Sequence, residues 1–326
     1  MAKIKRIGVL TSGGDAPGMN AAIRAVTRMA IYHGLEVYGI RSGYHGMIND
    51  QIIKLESHDV SNIIQRGGTI LKTARSAEFR TPEGRAQAYA NLKKHQIDAL
   101  VIIGGDGSLT GARLLSEEYD IPCVGVPGTI DNDLYGTDYT IGYDTAINTV
   151  VEAVDKIRDT ASAHNRLFFV EVMGRDAGFI ALRSGIAVGA EAILVPERDT
   201  PYDKLKCYLE TGFVNKKTSG IVIVAEGEQQ GGAYEIANKV KADFSQYEVK
   251  VTVLGHIQRG GSPTAYDRVT ASHMGAAAVD ALLDDQKSVM IGIVNKQIVH
   301  VPFNKTIKAR KPLNEELLKI SQILSI

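Results

Sequence analysis

The stretch Ile7-Gly8-Val9-Leu10-Thr11-Ser12-Gly13-Gly14-Asp15-Ala16-Pro17-Gly18 decides the fold. It begins with a continuous apolar run over residues 7–11 and ends in a glycine-rich turn. An amphipathic pattern follows over residues 18–33 and predicts a helix directly after the turn. An apolar strand, a tight turn and a helix are the building unit of a parallel α/β sheet.

The same unit recurs along the rest of the chain. Helical patterns lie at 82–95 (Thr81 as N-cap, Pro82 first in the helix), 145–163 and 265–283. Apolar runs, typical of parallel strands covered on both faces, predict further strands at 35–40, 99–103, 122–126, 167–172, 192–195, 221–225, 249–254 and 290–294. The fold class is therefore predicted as α/β, with two doubly wound three-layer α/β/α domains and the active site in the cleft between them.

Composition narrows the class of protein. The 326 residues include 37 basic and 37 acidic side chains and are 44% hydrophobic, which is globular composition. Zero formal charge argues against nucleic acid or a membrane surface as partner. No apolar run approaches the roughly 18 residues of a membrane span. The sequence has no signal-peptide pattern, and its two cysteines, Cys123 and Cys207, are too few for a disulfide framework. We therefore expect a protein of the reducing cytoplasm.

Five loops follow predicted strands, where an open parallel sheet binds its ligands. In the first, residues 11–18, paired glycines let backbone N–H groups approach a phosphate, although a strand–helix turn can need glycine for its shape alone. The loop matches neither G-x-G-x-x-G nor G-x-x-x-x-G-K-[ST]. This argues against a P-loop and weakens a dinucleotide-binding interpretation.

The second and third loops carry carboxylates. Asp106, in Gly104-Gly105-Asp106-Gly107-Ser108, could hold Mg²⁺ among phosphate oxygens, or could cap a helix. Asp131 and Asp133 are two residues apart, so in an extended backbone both project to one side and repel. That repulsion needs a metal, a base or an arginine as partner, unless the loop is simply a solvated turn.

The remaining loops supply arginines. Arg175 and Arg259 lie beside glycines in loops 173–178 and 256–263, and a guanidinium suits a pair of phosphate oxygens. Arg24 and Arg28 repeat at i, i+4 on the first helix, which indicates either a solvated face or a second anion site. Magnesium, several phosphates and carboxylates near a hydroxyl together favour phosphoryl transfer on a scaffold without a P-loop.

These loops, in this order, resemble those of the bacterial-type ATP-dependent 6-phosphofructokinase family, from residues 7–20 to residues 254–263. The resemblance implies that the γ-phosphoryl group of ATP passes to the 1-hydroxyl of fructose 6-phosphate, with Mg²⁺ as cofactor, giving fructose 1,6-bisphosphate and ADP. It also implies a larger nucleotide-binding domain (1–142 plus 258–308) and a smaller sugar-phosphate-binding domain (143–257 plus 309–326).

The resemblance assigns roles residue by residue. Asp131 matches the general base and Asp106 the Mg²⁺ ligand. The other implied catalytic residues are Thr129, Asp133, Arg75, Arg175 and Gly14. The positions that match nucleotide binding are Gly14, Arg75, Ser76, Gly105, Asp106, Gly107 and Ser108. Those that match substrate binding are Thr129, Ile130, Asp131, Arg166, Met173, Gly174, Arg175, Glu226, Lys250, His256 and Arg259.

Subunit sharing and regulation are also implied. Arg166 and Lys250 match positions that reach the sugar phosphate from a neighbouring subunit, which implies a homotetramer, although relatives commonly carry arginine at 250. Ser57 and Asn215 stand where basic residues are common, so we expect a weakened or altered response to effectors. The positions that match the effector site for ADP or phosphoenolpyruvate are Arg24, Arg28, Arg158, Gly189, Glu191 and Lys217.

Two glycines indicate the phosphoryl donor. Pyrophosphate-dependent relatives usually carry Asp and Lys where this chain has Gly107 and Gly128, so the resemblance favours ATP over pyrophosphate. A nucleotide-binding oxidoreductase is an alternative, but it would need a dinucleotide fingerprint with other glycine spacing. A catalytically silent nucleotide sensor is another, which the set of Asp106, Asp131 and Arg75 makes unnecessary.

Overall fold

The computed structural model describes residues 4–162, 166–214, 219–245 and 247–324. The chain forms two compact units, built from several stretches each. The first unit contains Met1–Thr129, Leu134–Thr145 and Arg259–Lys311. The second contains Ile130–Asp133, Ala146–Gln258 and Pro312–Ile326. None of the described helices has the length and apolar character needed to cross a membrane.

Strands and helices alternate along most of the described chain. The strands are β1 Arg6–Ser12, β2 Glu36–Ile40, β3 Ile52–Leu55, β4 Ala99–Gly104, β5 Cys123–Pro127, β6 Arg166–Val172, β7 Ala192–Leu194, β8 Gly220–Ala225, β9 Glu248–Val253, β10 Val289–Val294 and β11 Gln297–Pro302. The helices are α1 Met19–Tyr32, α2 Gly43–Ile48, α3 Pro82–Lys94, α4 Asp106–Tyr119, α5 Tyr143–Ser162, α6 Phe179–Ala187, α7 Tyr202–Val214, α8 Ala233–Asp243, α9 Ala265–Leu283, α10 Phe303–Lys308 and α11 Glu315–Leu324. Short 3₁₀ helices lie at Glu78–Arg80 and Gly255–Arg259.

The sheet of the first unit has the strand order β11-β10-β5-β4-β1-β2-β3. Its strands pair in parallel except at the two edges, where β3 and β11 are antiparallel. β1 lies between β4 and β2, so the connections leaving β1 and β4 turn toward opposite sides of the sheet. Such a switch point opens a crevice at the carboxyl ends of the two strands.

Helices cover both faces of this sheet, because successive side chains of a buried strand point to opposite faces. One core cluster joins Leu10 and Leu100 of the strands to Leu92 and Leu109 of α3 and α4. On the opposite face, α1 packs along α9, and both contact the sheet. The sheet of the second unit, ordered β7-β8-β6-β9, is parallel throughout.

All nine strands predicted from the sequence are confirmed to within one residue at each end. Two strands were missed, β3 and β11. Both are antiparallel edge strands, and β11 mixes exposed, half-buried and buried residues instead of being continuously apolar. The expectation of a strand covered on both faces is also wrong for β9, which is an edge strand whose residues are exposed or half-buried. Edge position relaxes the need for apolar side chains on both faces.

Gly46 provides a test of the fold. A Cβ atom at this position would lie 1.6 Å from the carbonyl oxygen of Arg41, where the chain wraps back on itself. We expect Gly46→Ala to lower the free energy of unfolding by more than about 3 kcal/mol, because backbone must move to admit the methyl group. The control is Gly34→Ala, which meets nothing within 4 Å and costs only its positive φ of 75°, about 1–2 kcal/mol. Denaturant unfolding compares the two; equal losses would contradict the packing.

Candidate active site

The first glycine loop lies at the switch point of the first unit's sheet. Gly13, at φ 87°, follows β1, and Gly18, at φ 105°, is the N-cap of α1. A Cβ atom on Gly13 would be 3.3 Å from Ser108 Oγ, and one on Gly14 would be 2.6 Å from Arg259 Nη1. The same Arg259 nitrogen donates to the carbonyl of Asp15 at 3.3 Å. The loop is therefore held between Ser108 and Arg259, two residues predicted for the site.

The second glycine loop is shorter than the sequence predicts. Gly104 ends β4, Gly105 is the N-cap of α4, and Asp106 already belongs to the helix. Asp106 is not the N-cap, so the capping alternative for this residue is wrong. A glycine N-cap offers no side-chain oxygen to the first helical N–H groups, and such a helix end attracts anions.

Close packing positions this helix start. A Cβ atom on Gly104 would lie 2.5 Å from the carbonyl oxygen of Ser12 and from Ser108 Oγ, so the loop backbones touch. The Tyr44 hydroxyl donates to the Ser108 carbonyl at 2.5 Å. Burial raises the pKa of Tyr44 well above its ordinary value, which keeps that donor proton in place. In contrast, a Cβ atom on Gly107 would meet nothing within 4 Å, so this glycine faces open space.

The third loop follows β5. Thr129 lies against the second loop, because a Cβ atom on Gly105 would be 3.6 Å from Thr129 Cβ. The Thr129 carbonyl accepts a hydrogen bond from Thr140 Oγ1 at 2.6 Å. Further along, Ile130 is 0% exposed and Asp131 is 8% exposed, whereas Asp133 is half-buried. Asp131 is thus shielded from bulk water.

One expectation about the third loop is wrong. The argument that Asp131 and Asp133 project to one side assumed extended backbone between them. Asn132 instead adopts the left-handed conformation, with φ 53°. Asparagine tolerates this region better than most residues, so the chain can turn sharply here. The two-residue spacing therefore does not place the two carboxylates side by side.

The segment that carries Arg75 and Ser76 is anchored by a buried asparagine. Asn20, 1% exposed in the first turn of α1, donates to the carbonyls of Arg66 and Gly67 and accepts from the amide of Ile70 at 2.8 Å. Arg75 itself is exposed, and Ser76 Oγ accepts from the amide of Phe79 at 3.1 Å. Sequence analysis assigned no role to Asn20, although a polar residue at a predicted helix start was a signal.

In the second unit, the loops after β6 and β8 meet. The backbone amide of Arg175 donates to Glu226 Oε1 at 2.7 Å. Gly174 and Arg175 both have positive φ, 147° and 57°, so the loop makes a strained turn at this contact. A Cβ atom on Gly227 would lie 2.1 Å from the Arg175 carbonyl oxygen. The structure therefore brings together Gly174, Arg175 and Glu226.

Gln258 joins the third strand-end loop of this unit. Its side chain is 0% exposed, and its Oε1 accepts from the amide of Met173 at 3.2 Å. Its Nε2 donates to the carbonyl of Gly255 at 3.0 Å, next to the exposed His256. Sequence analysis quoted Gln258 within its loop but gave it no role. The neighbouring Arg259 belongs to the first unit, beside Gly14.

Arg166 and Lys250 share one carboxylate. Arg166 Nε contacts Glu248 Oε2 at 2.7 Å, and Lys250 Nζ contacts Glu248 Oε1 at 2.6 Å. Hydrogen bonds from both cations lower the pKa of Glu248 to about 2. The residues lie on the adjacent strands β6 and β9. Two cations on the edge strand β9 and its neighbour β6 suit an anion, and Glu248 is the partner that sequence analysis missed.

The residues predicted to bind effectors lie in both units. On α1, burial and the nearby positive charge of Arg28 lower the pKa of Arg24. In the second unit, the Arg158 guanidinium donates to the carbonyls of Val188 and Gly189. The Glu191 carboxylate accepts from the amide of Ile221. Ser57 is exposed, whereas Lys217 and Asn215 lie outside the described residues.

The donor set around Asp106 suits a phosphate-bound magnesium ion. In the described part of the chain, no group of three or more His, Cys, Asp or Glu side chains could hold a metal ion by itself. Mg²⁺ does not need one, since proteins commonly bind it through one or two carboxylates plus substrate phosphates. A single carboxylate, that of the exposed Asp106, at a helix start that attracts anions fits this mode.

Comparison with known proteins identifies the family. The sequence profile described as "Phosphofructokinase" matches residues 6–282. The chain belongs to the phosphofructokinase family. It is 63% identical over 326 residues to "ATP-dependent 6-phosphofructokinase 2" of Bacteroides thetaiotaomicron, covering 100% of both chains. It is 58% identical to "ATP-dependent 6-phosphofructokinase 1" of Thermus thermophilus, covering 99% of this chain and 100% of that relative.

Solved phosphofructokinase structures share the fold. The phosphofructokinase of Saccharomyces cerevisiae matches with a TM-score of 0.88 and 41% identity. The match covers 93% of this chain and 45% of the yeast chain. A pyrophosphate-dependent phosphofructokinase from Marinobacter aquaeolei matches with a TM-score of 0.85 and 27% identity, over 96% of this chain and 86% of that one. Because one of these structures is named for pyrophosphate, the fold alone does not identify the phosphoryl donor.

The anchor formed by Asn20 is testable. We expect Asn20→Ala to lower the free energy of unfolding by about 2–3 kcal/mol, because three backbone groups lose their partner. Hydrogen exchange at the amide of Ile70 should accelerate in parallel. Asn49→Ala is the matched control, since the Asn49 side chain is exposed and, among the described residues, bonds only to His45, one turn away. An unchanged Ile70 exchange rate in Asn20→Ala would contradict the anchoring role.

Proposed function

We propose that this protein is an ATP-dependent 6-phosphofructokinase. It transfers the γ-phosphoryl group of ATP to the 1-hydroxyl of D-fructose 6-phosphate and releases fructose 1,6-bisphosphate and ADP. The observation that carries the proposal is full-length similarity, at 52–63% identity, to relatives named for this activity. The loop geometry supports it, because two glycine loops and a helix start converge at the switch point of the first sheet.

The first unit supplies the nucleotide side of the reaction. Backbone N–H groups at Gly14 and Gly105 and the start of α4 bind phosphate oxygens, and Ser76, Gly107 and Ser108 complete the binding surface. Arg75 adds positive charge where the transferring group develops negative charge. Mg²⁺, held through Asp106 and the phosphates, offsets phosphate charge when it is bound. Such a site works mainly by positioning and charge stabilisation.

Most of the residues proposed for the sugar side belong to the second unit, whereas Thr129 and Arg259 belong to the first. Asp131 accepts the proton of the 1-hydroxyl as that oxygen attacks the γ-phosphorus, and ADP leaves with the bridging oxygen. Asp131 is buried, with 8% of its surface exposed, and this limits competition from water at the site of proton transfer. Thr129 and Asp133 flank this base. The residues proposed to bind the sugar phosphate lie in the loops and on the neighbouring strands β6 and β9: Ile130, Met173, Gly174, Arg175, Glu226, His256, Arg259, Arg166 and Lys250.

Assembly, regulation and location are further parts of the proposal. The pair Arg166 and Lys250 lies at a sheet edge, which supports a role toward the sugar phosphate of a neighbouring subunit in a homotetramer. ADP or phosphoenolpyruvate would bind at the positions of Arg24, Arg28, Arg158, Gly189, Glu191 and Lys217. Because Arg158 and Glu191 also bond to backbone groups, we expect a weak response to effectors. A glycolytic activity of this kind belongs in the cytoplasm.

Asp131 is the first target for mutation. We expect Asp131→Asn to lower kcat by about 10²–10⁴-fold, because the amide cannot accept the hydroxyl proton. Binding of fructose 6-phosphate, measured by calorimetry, should persist. Asp120→Asn, which removes an exposed carboxylate that contacts only Lys287 among the ion pairs described here, is the control and should keep full turnover. An active Asp131→Asn enzyme would remove Asp131 from the role of base.

Gly107 tests the choice of donor. Because a side chain there meets open space, Gly107→Asp should fold normally while its carboxylate repels the α-phosphate of ATP. We expect kcat/KM for ATP to fall at least 100-fold, with binding of fructose 6-phosphate within threefold of the wild type. Gly107→Ala adds volume without charge and should lose far less. Equal losses of ATP use in the two variants would count against the electrostatic explanation.

A further inference from the structure

A buried carboxylate outside the residues assigned so far joins two helix starts in the first unit. Asp267, 1% exposed in the first turn of α9, accepts from the amide of Gly142 at 2.9 Å and the amide of Thr145 at 2.8 Å. It also accepts from Thr145 Oγ1 at 2.5 Å. The carboxylate of an α9 residue thus satisfies orphan amides at the start of α5.

The two helix starts are linked in the other direction as well. Thr264, the N-cap of α9, accepts from the amide of Asp267, and its own amide donates to Thr145 Oγ1 at 3.0 Å. Its hydroxyl donates to Asp144 Oδ2 at 2.7 Å. The four side chains form a closed network, so the start of α5 has one position relative to α9.

This network continues to the catalytic loop through the backbone. Next to Gly142, the amide of Ile141 donates to the carbonyl of Pro127 at 2.8 Å. One residue earlier, Thr140 Oγ1 donates to the carbonyl of Thr129. The segment 140–142 is also packed on the first glycine loop, since a Cβ atom on Gly142 would lie 2.7 Å from Ala16 Cβ. A shift of Gly142 would therefore displace both loops.

We propose that Asp267 is a positioning residue for phosphoryl transfer, which holds segment 140–145 and, through it, the loop that carries Thr129 and leads to Asp131. The expected loss of kcat rests on the proposed function, whereas the role of Asp267 in holding segment 140–145 does not. A misplacement of about 1 Å at reacting groups can cost about 100-fold in rate. Nucleotide binding at the start of α4 uses separate contacts, from Tyr44 and Ser108, and should be preserved.

Burial raises the pKa of Asp267 to about 6, outweighing the hydrogen bonds from Thr145 and Gly142 that lower it, and the negative charge of Asp144 adds to the rise. The carboxylate is consequently ionised at pH 8, where the test should be run. Asp267→Asn keeps the shape of the side chain but turns an NH₂ group toward the N–H and O–H donors, so at least one hydrogen bond is lost.

The test combines kinetics with hydrogen exchange. In Asp267→Asn we expect kcat to fall 10–100-fold with the KM for ATP within threefold. Exchange at the amides of Gly142 and Ile141 should accelerate at least tenfold, while exchange at Leu109 in α4 stays unchanged. Asp280→Asn, on the same helix and paired only with His33 among the contacts described here, is the control and should match the wild type in both measurements.

The outcomes separate the two claims. If Asp267→Asn folds but leaves kcat and Ile141 exchange within twofold of wild type, Asp267 only packs and the inference is overturned. If Asp267→Asn does not fold, the variant Thr145→Val replaces it in the test, because this change removes the Thr145 hydroxyl donor and keeps the two backbone amides that donate to Asp267. A kcat loss of at least threefold at unchanged Tm then supports the inference. An unchanged kcat overturns it. If the wild-type protein makes no fructose 1,6-bisphosphate, the proposed function fails and the exchange data alone decide.

Discussion

The direct backbone contact between the ends of β1 and β4 is the constraint on which the rest of the first unit's site depends. Gly104 can sit against the Ser12 carbonyl only because it has no Cβ atom, which would lie 2.5 Å from that oxygen. This contact lets α4 begin immediately after the strand, with Gly105 as its N-cap. The first N–H groups of α4 and the first glycine loop then face the same crevice, and backbone N–H groups in this arrangement suit an anion.

Much of this arrangement can be predicted from the sequence, because parallel strands and their turns have strong local signals. A strand buried on both faces must be apolar throughout, and all nine such runs form strands. The edge strands β3 and β11 escaped prediction because an edge strand need not be apolar on both faces. The left-handed Asn132 escaped because its conformation depends on the loop around it, whereas the spacing of Asp131 and Asp133 suggested extended backbone.

The site residues divide in the same way. Glycines, arginines and aspartates at strand ends could be selected from the sequence, since their chemistry and position together favour phosphate binding. The residues that hold those loops in place could not. Asn20, Gln258 and Asp267 each bond to backbone groups that are distant in sequence, from 46 positions for Asn20 and Arg66 to 125 for Asp267 and Gly142. Such partners become visible only once the fold brings them together. A buried polar side chain with several backbone partners is the structural sign of this class.

The most direct test of the account is the choice of phosphoryl donor. Purified protein is incubated with fructose 6-phosphate and Mg²⁺, and formation of fructose 1,6-bisphosphate is measured with ATP and, separately, with pyrophosphate. The account predicts rapid product formation with ATP, transfer of the γ-phosphoryl label to the sugar, and negligible product with pyrophosphate. Product formation with pyrophosphate alone, or with neither donor, would contradict it.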